Sequence, residues 1–121
     1  MRSRSSSSCG VVFLDRAQAV ADVRRAVDSL VARRSRVEEV WLFGSLATGR
    51  ATPRSDADLL IVVREDDRRP MDRAPEFLGL LEGLGRPVDV LVLTSHEWKA
   101  RAGSALHREV TGRGVRLHPV A

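Results

Sequence analysis

Asp56 and Asp58 stand two residues apart at the head of one apolar run, and a third carboxylate, Asp89, stands between Val88 and Val90 at the head of another. On an extended strand, residues two apart leave the same face with Cα atoms ~6.5 Å apart, so the pair can share one ligand. Three ionised carboxylates about 6 Å apart would repel by roughly 3 kcal/mol per pair at an effective dielectric of about 20. A hard divalent cation relieves that repulsion. Mg²⁺ takes one or two protein carboxylates and keeps positions for water and substrate phosphate. Upstream of the pair lies Gly44-Ser45. The glycine lets backbone approach a phosphate closely; the serine offers a hydroxyl and a cap for a short helix whose N–H groups face an anion. A phosphate cradle beside a metal-binding carboxylate cluster is the equipment of phosphoryl or nucleotidyl transfer.

Three strands must bring these residues together. Val37 to Phe43 is rich in β-branched and aromatic residues and is stopped by Gly44, which predicts a strand entering a tight turn. Residues 56–63 read as a second strand whose later half is apolar on both faces, as in the middle of a sheet. Residues 88–93 read as a third. The segment between the first two is too short for a helical crossover, so antiparallel pairing is expected there. About two dozen residues with a helix separate the second from the third, which favours a right-handed parallel crossover. The end of strand one and the starts of strands two and three then share one edge of the sheet. An acidic residue at position 89, inside a buried strand, is expected to need a partner.

Helices complete the pattern. Val20, Val23, Val27, Leu30 and Val31 recur at three- and four-residue spacing within 15–34, and Asp15 with Gln18 resembles a capping box. Residues 71–84 predict a helix begun or interrupted near Pro75, with Phe77, Leu80, Leu81 and Leu84 as its core stripe. Thr94 and Glu97 form a second capping-box pattern, opening a helix through Trp98 that weakens at Gly103 and resumes over 104–111; residues 114–118 suit a short closing strand. The expected fold is α/β (α+β): a small mixed sheet with helices packed mainly on one face. Residues 1–10, Ser-rich and without periodicity, are expected to be a disordered tail, or else a vector-derived or mis-assigned start, and 11–121 a single domain.

Gly44-Ser45, a ten-residue spacer, Asp56-Ala57-Asp58-Leu59 and later Asp89 within VDVLVL together resemble the signature of the DNA polymerase beta superfamily, in particular the minimal nucleotidyltransferases. The resemblance covers about residues 37–93. It implies the nucleotidyltransferase fold, with Gly44 and Ser45 holding the nucleotide triphosphate. It implies Mg²⁺ on Asp56 and Asp58, and Asp89 completing the metal site and helping to deprotonate the attacking hydroxyl. Many members carry an arginine between the serine and the second glycine of that loop; here those positions are Leu46, Ala47 and Thr48, with the nearest arginine at Arg50. Members of this size are commonly the antitoxin of an all-helical HEPN toxin and transfer AMP from ATP to a tyrosine of it. The resemblance therefore implies ATP as substrate and a HEPN-type toxin as partner. A non-catalytic antitoxin acting by occlusion, and transfer to a small molecule or an RNA end, stay open beside it, as does homo- or hetero-oligomer formation.

The 121 residues, 43% hydrophobic and 30% charged, suit one small globular domain that buries roughly two-thirds of its unfolded surface. No apolar run approaches the ~20 residues of a membrane-spanning helix, and the start offers no signal-peptide core. The lone Cys9 cannot form an internal disulfide, and a cytoplasmic location is expected. Twenty basic residues oppose 16 acidic, for a net charge of +4, and all but Lys99 are arginine. That excess suits phosphate ligands or an acidic partner. Its spread, with only 4% aromatic residues, speaks against nucleic acid as a direct partner. Thr48, Gly49, Arg50 and Arg54 are candidates to shape or charge the phosphate loop, with plain solvent-exposed positions the equal reading. His96, His107 and His118 share no metal-ligand spacing, and Trp41 and Trp98 read as packing residues.

Overall fold

Ala19, Val23, Val27 and Leu30 form one buried stripe, and the helix that carries them, α1, runs from Ser8 to Arg33. The computed structural model describes residues 8–49 and 56–120, with side chains from Arg16 onward. The expected tail lies outside these residues except for positions 8–10, which already belong to α1. The helix therefore starts seven residues before Asp15. No helix breaker separates the apolar run of residues 11–14 from the periodic stretch, so the helix continues through it. Asp15 thus lies inside α1 and not at its start, so it is not the N-cap that the pattern suggested; Gln18 donates its side-chain amide forward to Asp22 at 2.9 Å.

The strands are β1 (Val37–Phe43), β2 (Ala57–Val63), β3 (Val88–Thr94) and β4 (Val115–His118). They form one mixed sheet in the order β3-β2-β1-β4. β1 runs antiparallel to β2 and to β4, and β2 runs parallel to β3. Helix α2 (Ser45–Thr48) occupies the turn after β1. Helix α3 (Pro70–Leu80) carries Pro70 at its start, where the missing N–H costs nothing, and Pro75 inside it. A 3-10 turn over Glu82–Leu84 follows. Helices α4 (Ser95–Ala100) and α5 (Ala105–Arg113) lie between β3 and β4. The expected capping box closes α4: Thr94 Oγ1 accepts from the Glu97 N–H, and Glu97 accepts from the Thr94 N–H.

Alternation along β2 sorts its residues onto two faces. Leu59, Ile61 and Val63 join Val40, Leu42, Val92, Phe77 and the α1 stripe in the larger core. Leu60 and Val62 join Leu93, Trp98 and Val110 in a smaller cluster beneath α4 and α5. Residues 59–63 are thus all buried, as a central strand requires.

At the end of the sheet where β2 and β3 finish, charge replaces apolar packing. Arg73, 3% exposed, donates to both carboxylate oxygens of Glu97 at 2.6 and 3.1 Å. It also donates to the Val92, Arg68 and Asp66 carbonyls. Arg34, Arg36 and Arg68 converge on Glu76, and Arg36 and Arg68 also reach Asp66. A buried guanidinium is tolerated because its donors are met.

Candidate active site

The opposite end of the sheet gathers the residues singled out from the sequence. Antiparallel pairing sets Phe43 against Asp58, so the chain leaving β1 turns directly beside the head of β2. The parallel ladder pairs Asp58 with Asp89. Asp56 immediately precedes β2 and is exposed. By alternation, Asp58 and Asp89 share the face that α4 and α5 partly cover. Gly44, Ser45, Asp56, Asp58 and Asp89 therefore meet at one edge.

Gly44 adopts φ +77°, where side chains are rarely found, and a Cβ placed on it would overlap Asp58 Oδ2 and lie 3.1 Å from Asp58 Cγ. Two separate constraints thus demand glycine. Its carbonyl accepts from the Ala47 and Thr48 N–H groups, both at 3.1 Å, which starts the single turn of α2. Ser45 is the first residue of that turn and not its cap, since Gly44 holds the cap position and has no side chain to donate to. The first amides of such a turn have no acceptor within the helix. Gly49, at φ +84°, closes α2 by donating its N–H to the Ser45 carbonyl.

Asp58 is half-buried, and its carboxyl is held above the usual carboxylate range by burial first, then by the charges of Asp89 and Asp56. A cavity of about 320 Å³ opens there, lined by Phe43, Asp58, Leu59, Asp89, Val90 and Leu91. Asp89 is exposed because β3 is an edge strand. This corrects the expectation of a buried acid needing a partner: solvent reaches it from the open edge. Among the described residues, no group of three or more His, Cys, Asp or Glu side chains is disposed to hold a metal ion by itself. A cation at this edge would be shared with water and a ligand, as Mg²⁺ commonly is.

A residue that periodicity did not single out reaches the same turn. Arg16, on α1, donates from Nε to the Leu46 carbonyl at 3.1 Å and from Nη2 to the Ala47 carbonyl at 3.0 Å. It occupies a position three before Ala19 and seven before Val23, so it heads the buried stripe. An arginine where the apolar pattern asks for a hydrophobe was the available signal. Arg50 and Arg54 lie outside the described residues. Trp98 packs against His107 with ring centroids 5.1 Å apart, and Trp41 donates to Glu39 beneath the Arg116 guanidinium.

The nucleotidyltransferase domain family matches residues 22–110, which spans β1, the Gly44 turn, β2 and β3. The chain belongs to the nucleotidyltransferase domain family. A solved structure named as a minimal nucleotidyltransferase is 32% identical, covers 81% of this chain and 92% of its own, and superposes with TM-score 0.55. A nucleotidyltransferase structure from Sulfolobus solfataricus is 24% identical, with 87% and 84% covered and TM-score 0.60. A toxin–antitoxin complex with AMP-PNP is 20% identical, with 80% and 73% covered and TM-score 0.61. A curated relative, the phosphoribosyl-dephospho-CoA transferase of Pseudomonas fluorescens, is 32% identical over 60% of this chain. The chain spans 41% of that relative's length. The mixed sheet and the helices of the described residues are thus a nucleotidyltransferase fold, as its motif implied. No helix among the described residues is long and apolar enough to cross a membrane.

Proposed function

We propose that this nucleotidyltransferase transfers AMP from ATP to a tyrosine hydroxyl of a HEPN-type toxin, acting in the cytoplasm as the antitoxin of the pair. The observation that carries the reading is the packing of the Gly44 backbone against the Asp58 carboxylate, with Asp89 beside it in the ladder. Membership of the family supports the reaction class. A toxin–antitoxin complex bound to an ATP analogue, among the proteins that share this fold, supports the partner and the nucleotide.

In this reading the Gly44-Ser45 turn receives the triphosphate, its glycine letting the turn close against the Asp58 carboxylate and the Ser45 hydroxyl offering a donor. Asp56, Asp58 and Asp89 are the residues that would hold Mg²⁺. Burial first, and then the charges of Asp89 and Asp56, raise Asp58, which fits an environment that positive charge would complete. When bound, the ion would neutralise charge on the phosphates and make the α-phosphorus more electrophilic. Asp89, exposed at the edge strand, accepts the proton of the incoming hydroxyl. The acceptor oxygen forms its bond to the α-phosphorus as the bond to the bridging oxygen breaks, and pyrophosphate leaves.

The test is incubation of the chain and its helical partner with labelled ATP and Mg²⁺. The expected result is label on the partner with the wild type and none with Asp56→Asn/Asp58→Asn. Equal signals from the two would refute the catalytic reading. Neutralisation of the toxin without any transfer would establish occlusion instead. Label on a small molecule or RNA end alone would replace the acceptor.

A further inference from the structure

The turn that receives the triphosphate in the reading above is only one helical turn long. A helix of that length does not hold itself together, because nucleation fixes several residues for one hydrogen bond. Its carbonyls are nevertheless accounted for. The Gly44 carbonyl accepts from Ala47 and Thr48. The Ser45 carbonyl accepts from the Gly49 N–H, with Thr48 Oγ1 at 3.4 Å. The Leu46 and Ala47 carbonyls accept from Arg16. Leu46 and Ala47 are themselves buried, so losing these donors would leave two carbonyls poorly served.

Arg16 reaches these carbonyls from thirty residues upstream, on a different helix. Its two donors engage two successive carbonyls, a fork that lysine cannot reproduce with a point charge. Gly49 stands next to it, its Cβ position 3.9 Å from Arg16 Nε. The guanidinium is thus fixed at the C-terminal end of α2, while the Gly44 end faces Asp58.

We propose that Arg16 is a positioning residue for nucleotide binding: by pinning the Leu46 and Ala47 carbonyls it holds the Gly44-Ser45 turn in its place against Asp58, where the triphosphate is received. This rests on the nucleotidyl-transfer reading. Arg16 acts through α2 and is not assigned a contact with the nucleotide.

Two measurements on the full chain test it. Amide hydrogen exchange at Ala47, Thr48 and Gly49 should rise about tenfold or more in Arg16→Ala, while Leu60 and Ile61 in β2 stay unchanged. Calorimetric titration with Mg²⁺ and AMP-PNP, run well below each variant's own melting transition, should show affinity weakened about tenfold in Arg16→Ala and about threefold in Arg16→Lys. If Arg16→Ala fails to fold, Arg16→Lys carries both comparisons. Unchanged exchange in α2 would overturn the clamp. Faster exchange with unchanged affinity would reduce Arg16 to scaffolding and overturn the positioning role. A wild type that binds no AMP-PNP would overturn the nucleotide reading and this role with it. Binding that Asp58→Asn abolishes and Arg16→Ala leaves intact would overturn the role of Arg16 alone.

Discussion

Asp58 and Asp89 are register partners in the parallel β2–β3 ladder, so two like charges stand side by side on adjoining strands with Gly44 packed against one of them. A fold optimised only for stability would not place them so; like charges opposite one another in a sheet are destabilising. The arrangement is understandable where a bound cation and an anionic substrate complete it.

Asp58→Asn keeps the shape of the side chain and removes its charge. Because burial and its acidic neighbours raise the Asp58 carboxyl in the folded chain, its ionised form opposes folding at neutral pH, and the variant should melt at an equal or higher temperature. Nucleotidyl transfer should fall by about 10²-fold or more. Paired melting and activity measurements check both directions; a clear loss of stability would contradict the crowding described above.

Gly44→Ala meets a backbone in the left-handed region and a neighbour already in place. We expect a loss of about 1–3 kcal/mol in urea unfolding, together with loss of AMP-PNP binding. Gly83→Ala is the control, since it has no positive φ and nothing within 4 Å of its Cβ position.

Arg73→Met removes a nearly buried cation and leaves Glu97 without its partner. The carboxylate left behind is 31% exposed and keeps the Thr94 N–H, so the loss should be about 1–3 kcal/mol, and denaturation at neutral pH should show it. Arg73→Lys should recover only part, because one ammonium cannot serve the Glu97 carboxylate and the Val92, Arg68 and Asp66 carbonyls together.

Acid should destabilise the fold through the same network. Hydrogen bonds from Arg36, Arg68 and Arg34 lower Glu76, and those from Arg73 lower Glu97, each from 4.5 to about 2. Asp66 is lowered still further by Arg68. Each folded-state value lies below its unfolded one, so these groups stabilise the fold above about pH 4.5, and that contribution is lost as pH falls toward 2. Urea midpoints at pH 7, 4 and 3 should decline in that order, and Glu76→Gln should flatten the decline.

Local chemistry made much of this legible in the sequence. Val37 to Phe43 forms the expected strand because a β-branched, aromatic run ends at a glycine whose geometry admits nothing else. Thr94 and Glu97 form their capping box since both partners lie within one turn. The edge that collects Gly44, Asp58 and Asp89 followed from strand directions, which connection lengths dictate. Asp15 misled because its pattern lies inside a longer apolar stretch that keeps the helix going. Asp89 was misplaced in depth, as flanking valines look alike in central and edge strands. Arg16 and Arg73 stayed hidden for another reason. Their partners lie 30 and 24 residues away, and no local period encodes such a distance.

The five buried residues of β2 between Asp58 and the turn toward Asp66 span about 17 Å at ~3.3 Å per residue. At that distance one unit charge counts for about 1 kcal/mol at an effective dielectric of ~20, and opposite charges held close together largely cancel. Across this insulating stretch the arginine network presents nearly balanced charge, with Arg34, Arg36, Arg68 and Arg73 set against Asp66, Glu76 and Glu97. Ionisation at one pole is therefore scarcely felt at the other, and each can drift through evolution, or be redesigned, without retuning its counterpart.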